Sequence, residues 1–166
     1  GENIALPPGG SPEIVSVNDF GPQAMFSFEN YLTPPTLYAY DARAQKPPRA
    51  IKSLPARFDA SGLVTGQFEA TSRDGTKIPY FVTRPEKLSG PAPAILYGYG
   101  GFEISMTPSY SANFGRLWLT HGGIYVVANI RGGGEFGPAW HEAALKQNRQ
   151  RAFDDFAAVA QDLEKR

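Results

Sequence analysis

The chain has 166 residues, of which 42% are hydrophobic and 13% aromatic, enough to bury a core and too many for a disordered tail. Lys+Arg and Asp+Glu are 16 each, so no net charge marks it for nucleic acid or anionic lipid. No apolar run approaches the roughly 18 residues that span a bilayer, and with no cysteine there is no disulfide, thiol nucleophile or Cys-ligated zinc or iron–sulfur site.

Turns punctuate the N-terminal part. Glu13–Val17 is a β-branched run that ends at Asn18-Asp19 and Gly21-Pro22. Gln23–Phe28 alternates, with Met25, Phe26 and Phe28 as its bulky members. Thr33-Pro34-Pro35 breaks the chain before Thr36–Tyr40, and a polar stretch from Asp41 to Pro48 leads to Arg49–Ser53. Four short strands at this spacing suit a sandwich, a barrel or one propeller blade, and the blade is the most economical of these.

From about Phe58 the pattern changes. Gly66–Thr71 and Ile78–Thr83 flank Asp74-Gly75, a hairpin signal. Pro79 then belongs at the start of its strand or on an edge. Ala94–Tyr97 is a short strand that runs into Gly98-Tyr99-Gly100-Gly101-Phe102. A helix is predicted over Asn113–His121, with His121-Gly122-Gly123 as its stop. Gly123–Ile130 is the strongest strand and is apolar on both faces. A glycine loop over Arg131–Gly137 precedes a helix from Pro138, and a second helix is predicted over about Arg149–Lys165. There Phe153, Phe156, Ala157, Ala160 and Leu163 recur at helical spacing. The fold class is therefore α/β with an all-β N-terminal part.

Two loops carry the chemistry. Gly132–Gly137 matches G-x-G-x-x-G between a strand and a helix, as a dinucleotide-binding turn requires. The acids about 20 residues on, Asp154 and Asp155, fall in a helical pattern instead of closing a strand, which favours a tight structural loop. Tyr99 lies on a glycine loop past a strand's C-terminal end, where α/β sheets bind ligands. A neutral phenol there donates a hydrogen bond suited to an oxyanion, although an aromatic merely packed over glycines has the same spacing. His121 reads as part of a helix stop and His141 as a helix-start or surface residue. No serine stands in G-x-S-x-G, and there is no H-E-x-x-H, P-loop or cluster of metal ligands.

Several stretches together resemble the prolyl oligopeptidase family of serine peptidases. They are Ser27-Phe28-Glu29-Asn30-Tyr31-Leu32-Thr33-Pro34-Pro35, Asp74-Gly75-Thr76-Lys77-Ile78-Pro79, Leu96–Phe102 and Ala128–Gly137. Trp140-His141, Lys146-Gln147-Asn148 and Phe153-Asp154-Asp155-Phe156 extend the match. The resemblance implies the last blade of a β-propeller over residues 1–55. It implies the N-terminal portion of an α/β-hydrolase domain over 56–166, ending before the strand and elbow of the nucleophilic Ser. The start at Gly1 and the helical pattern running to Arg166 agree with a piece of a longer protein.

By the same resemblance the parent cleaves short peptides after proline, without a cofactor or metal. Its Ser, Asp and His lie beyond Arg166, so the fragment alone is inactive and neither His121 nor His141 is the base. Tyr99 is the oxyanion-hole donor, and Phe102 lines the proline-accepting pocket. Alternatives are a propeller-capped relative such as an oligopeptidase B-like or acylaminoacyl peptidase and, more remotely, a nucleotide-binding domain using Gly132–Gly137. The expected partner is a peptide substrate, with no nucleic acid and no membrane. The open sheet edges of a fragment invite self-association. The expected location is cytoplasmic, with the periplasm as the alternative.

Overall fold

Alternating apolar positions bounded by Pro and Gly turns become the first four strands in the computed structural model, which describes residues 4–44 and 46–166. The first three residues of the expected N-terminal domain, and Gln45 in its polar turn, lie outside the described residues. The chain divides into two units: Gly1–Ala60 with Pro108–Arg116, and Ser61–Thr107 with Leu117–Arg166.

In the first unit, β1 (Ser11–Val17), β2 (Gln23–Glu29), β3 (Thr36–Asp41) and β4 (Arg49–Ser53) form an antiparallel sheet in the order β1-β2-β3-β4. This meander is the build of one propeller blade. Alternation along β2 buries Phe26 and Phe28 on one face, and Phe26 stacks on Tyr38 of β3 at 5.8 Å. A register shift between Ile14 and Ser16 interrupts the β1–β2 pairing, and Ile14, Val15 and Val17 stay exposed. Residues 108–116 belong with this sheet. The Tyr110 N–H donates to the Glu29 carboxylate at 2.8 Å, its hydroxyl accepts from the Arg57 N–H, and its ring stacks on Phe58.

The second unit is the α/β part. Its strands are β5 (Leu63–Thr71), β6 (Lys77–Pro85), β7 (Ala94–Gly98) and β8 (Ile124–Ala128), in the order β5-β6-β8-β7. β5 and β6 are the hairpin expected around Asp74-Gly75, and β7 runs parallel to β8. Pro79 sits in an interior strand, not on an edge. Its pairing with β8 begins only at Tyr80, so its missing N–H interrupts no ladder, while its carbonyl accepts from the Asn129 N–H.

The helices are α1 (Ala112–Leu117), α2 (Pro138–Glu142) and α3 (Gln150–Lys165). The single helix expected over Asn113–His121 is split. α1 ends at Leu117, a 3-10 turn covers Leu119–His121, and left-handed Gly122 caps it by donating to the Leu119 carbonyl.

α3 lies against β5 and β6, but its buried face is rotated from the expected one. Ala152, Asp155, Ala158 and Val159 are buried, whereas Phe153 and Ala157 are exposed. The rotation follows from a carboxylate: Asp155 is drawn fully inside by a cationic partner described below. Val159 joins Ile78, Tyr80 and Val126 in the core. The Tyr80 hydroxyl donates to Asp162, and burial, helped by that bond, pushes the phenol up to about 12.

Ile78 is fully buried, so Ile78→Ala should destabilise the folded protein by about 2–5 kcal/mol. Phe20→Ser, at a fully exposed ring, should change stability by less than about 0.5 kcal/mol. Urea unfolding of the two variants checks the contrast.

Candidate functional site

The site grows from two neighbouring strand ends. β7 and β8 are parallel and in register from Ala94↔Ile124 to Gly98↔Ala128, so both C-terminal ends open at the same edge. The tyrosine-glycine loop leaves one end and the arginine-glycine loop leaves the other.

The second loop is anchored first. Arg131 points its side chain inward, where its Nε and Nη2 donate to the two oxygens of Asp155 at 2.9 and 2.6 Å. The Arg131 backbone N–H and the Ser72 hydroxyl also donate to Asp155, so all four acceptor positions of a fully buried carboxylate are filled. Arg131 Nη1 reaches Asp74 at 2.6 Å in the hairpin turn, and Asp74 also accepts from the Thr76 N–H. The network thus joins the β5–β6 turn, the loop after β8 and α3. The Arg131 guanidinium holds the Asp74 carboxyl far below the usual carboxylate range. Reciprocally, Asp155 and then Asp74 raise the guanidinium against the opposing effect of burial.

The backbone beyond Arg131 meets the other loop. Gly100 has φ +58°, and a side chain there would run into Ile130 and the Arg131 carbonyl. Gly132 has φ +100°, and a side chain there would strike the Gly100 carbonyl. Two residues without Cβ atoms therefore let the loops touch backbone to backbone. Arg149 Nη1 donates to the Gly100 carbonyl, and its guanidinium lies over the Phe153 ring. Glu135 braces the outer part by accepting from the Met106 N–H at 2.9 Å and from Asn129 Nδ2 at 3.3 Å.

This contact decides against a dinucleotide turn at Gly132–Gly137. The spaces left by Gly132, Gly133 and Gly134 are taken by Gly100, Glu135 and Glu103, leaving no cradle for a pyrophosphate. Asp155, at the distance of a ribose-binding acid, is committed to Arg131.

Tyr99 is partly exposed on the first loop, and its ring lies 3.7 Å from where a side chain on Gly101 would stand. Phe102 is 85% exposed and has no hydrophobic cover. Both sequence-predicted site residues thus stand on one surface loop. His121 precedes β8 and lies at the opposite edge of the sheet from Tyr99. Five residues of strand, on the order of 16 Å, separate the two edges. His141 is close to the site, and its Nδ1 is 2.6 Å from the Gly132 carbonyl. Sequence reading missed the roles of Asp155, Arg149 and His141, because contacts made across separated segments leave no periodic signal. Among the described residues no group of three or more His, Asp or Glu could hold a metal ion, and no helix is long and apolar enough to cross a membrane.

Known proteins resemble most of the chain. Residues 108–166 match the pattern described as the prolyl oligopeptidase family. A protein of Sinorhizobium fredii called an uncharacterized peptidase is 55% identical over 96% of this chain, which covers 22% of that protein. A prolyl endopeptidase of Elizabethkingia miricola is 42% identical over 84% of this chain, which covers 20% of it. A solved structure from a study of two prolyl endopeptidases superposes with a TM-score of 0.87 and 34% identity, over 98% of this chain and 24% of that one. The chain therefore spans about a fifth of the length of the curated relatives it matches.

Removing one member of the buried ion network should cost more than its surface members do. Asp155→Ala leaves Arg131 without its main partner and should destabilise by about 3–5 kcal/mol in urea unfolding. Asp74 also gives a pH signature. Its folded pKa is depressed, so its contribution is present above the unfolded value of about 4 and is lost as pH falls toward the folded one. The stability gap between the wild type and Asp74→Asn should be constant near neutrality and shrink below about pH 4; a gap that widens on acidification contradicts this.

Proposed function

Because this chain belongs to the prolyl oligopeptidase family, we propose that it forms part of a serine-type oligopeptidase that cleaves short peptides after proline. On this reading residues 1–55 are the last blade of a β-propeller and residues 56–166 the first part of the α/β-hydrolase domain. The family's Ser, Asp and His come from sequence after Arg166, in the order usual for the hydrolase fold. The peptide backbone then passes over the loop that carries Tyr99 and Phe102.

One observation carries the proposal. Tyr99 and Phe102 are exposed together on a loop whose backbone is pressed against a second, ion-anchored loop at the C-terminal edge of parallel strands. Tyr99 donates its hydroxyl proton to the carbonyl oxygen of the scissile bond. That hydrogen bond strengthens as the oxygen gains charge during attack by the serine, so it lowers the barrier more than it tightens ground-state binding. A donor held by a rigid loop needs no reorganisation when the charge appears. Phe102 offers a flat apolar wall to the proline ring, which has no N–H to satisfy. His121 lies at the opposite edge of the sheet from Tyr99, away from the loop on which this reading places the substrate.

In the full-length protein, Tyr99→Phe should lower kcat for a fluorogenic post-proline peptide by on the order of 10²-fold with KM little changed. An unchanged kcat removes Tyr99 from the reaction. A wild-type enzyme that prefers arginine or lysine at P1 over proline overturns the post-proline reading and points to the oligopeptidase B-like alternative.

A further inference from the structure

The loop that carries Phe102 is held in an unfavourable backbone conformation. Phe102 has φ +51° and Glu103 has φ +56°, a left-handed region that bulky residues seldom enter. Two such residues in succession persist only where their surroundings over-determine them. Ile104 helps by donating its N–H to the Gly101 carbonyl at 3.0 Å, but the hydrogen bond from Glu103 itself runs to the other loop.

That bond ends on the Gly132 carbonyl, which accepts from the Glu103 N–H at 3.3 Å and faces His141 Nδ1 at 2.6 Å. Two acceptors cannot sit 2.6 Å apart without a proton between them, so Nδ1 carries the hydrogen and donates it. The Glu103 N–H also lies 3.1 Å from that nitrogen. A protonated Nδ1 has no lone pair in the ring plane to offer, so the carbonyl is the true acceptor of both. Trp140 holds the other side of Gly132: the Gly132 N–H donates to the Trp140 carbonyl at 3.1 Å. One short helix, α2, therefore grips Gly132 at both its N–H and its C=O.

We propose that His141 is a positioning residue for the substrate loop. Its Nδ1–H orients the Gly132 carbonyl toward Glu103 and so holds Phe102 in the left-handed conformation that presents its ring to the residue before the cleaved bond. His141 touches no substrate and moves no proton in the reaction. It acts through Gly132 and Glu103, and it controls preference for proline over smaller residues at that position. The specificity part rests on the post-proline reading above; the loop part does not.

Two near-isosteric variants separate this from general support of the fold. Asparagine places an amide N–H close to where Nδ1–H stands, whereas glutamine carries its amide farther out. In the full-length protein, His141→Asn should keep the ratio of kcat/KM for P1 proline over P1 alanine within about 3-fold of wild type. His141→Gln should lower it by on the order of 10-fold, within the range set by apolar pocket contacts. Hydrogen exchange of the peptide spanning residues 100–106 should be near wild type in His141→Asn and at least about 10-fold faster in His141→Gln. Thermal unfolding accompanies both variants, and the comparison is made at equal folded fraction. Equal losses of selectivity in the two variants, or unchanged exchange in His141→Gln, overturn the proposal. If the wild type does not cleave after proline, the post-proline reading fails, while the exchange measurement still decides whether His141 holds the loop.

Discussion

The buried pair between Arg131 and Asp155 is the constraint on which the second unit is arranged. A carboxylate removed from water is tolerated only when its acceptor positions are filled, and here the guanidinium, a backbone N–H and the Ser72 hydroxyl fill them. The donors come from two residues far apart in the sequence, Ser72 and Arg131. The charge requirement therefore fixes the hairpin turn, the end of β8 and the first half of α3 against one another. Such a pair adds little net stability compared with a well-packed apolar alternative. What it supplies is a defined starting point for the Arg131–Gly137 loop, whose first peptide is tied to the same carboxylate as its first side chain.

From that anchor the geometry passes outward through backbone. The Arg131 carbonyl and Gly132 meet Gly100, and Gly100 adjoins Tyr99. Side chains with rotamer freedom would blur this transmission, whereas contacting peptides have few ways to yield. Arg149 and His141 add a donor to each loop's key carbonyl. The exposed surface of the site is thus a pair of aromatic side chains carried by a loop with little freedom. A hydrogen-bond donor aimed at a developing charge needs that property.

Strand positions were legible because short alternating runs lie between Pro and Gly turns, and each of the eight strands among the described residues overlaps its predicted segment. The hairpin at Asp74-Gly75 and the stop at Gly122 were legible for the same local reason. The face of α3 was not. Hydrophobic periodicity assumes that charges point outward, and the most buried polar residue of the helix is Asp155. The glycine motif at 132–137 was visible, yet its letters alone do not say whether the space beside a glycine receives a phosphate or another peptide. The positions of Gly100, Glu103 and Glu135 decide that, and the first two lie about thirty residues earlier in the chain. Tyr99 was suggested by its place on a glycine loop past a strand end, whereas its assigned role and Phe102 came from resemblance to a family.

His141 shows where sequence reading stops in physical terms. A histidine on a short helix after a glycine loop has the pattern of a surface residue, and its ring is only partly covered. Its importance comes from a backbone strain at Phe102 and Glu103 that no residue type announces, since neither is glycine or asparagine. A glycine at either position would relieve the strain and make the left-handed turn free. It would also remove the Phe102 ring or loosen the turn that aims it. A bulky residue in that conformation, with an external donor fixing the next peptide, keeps both the ring and its direction. The strain, the shared carbonyl and the histidine are therefore three parts of one arrangement, and each is intelligible only with the others.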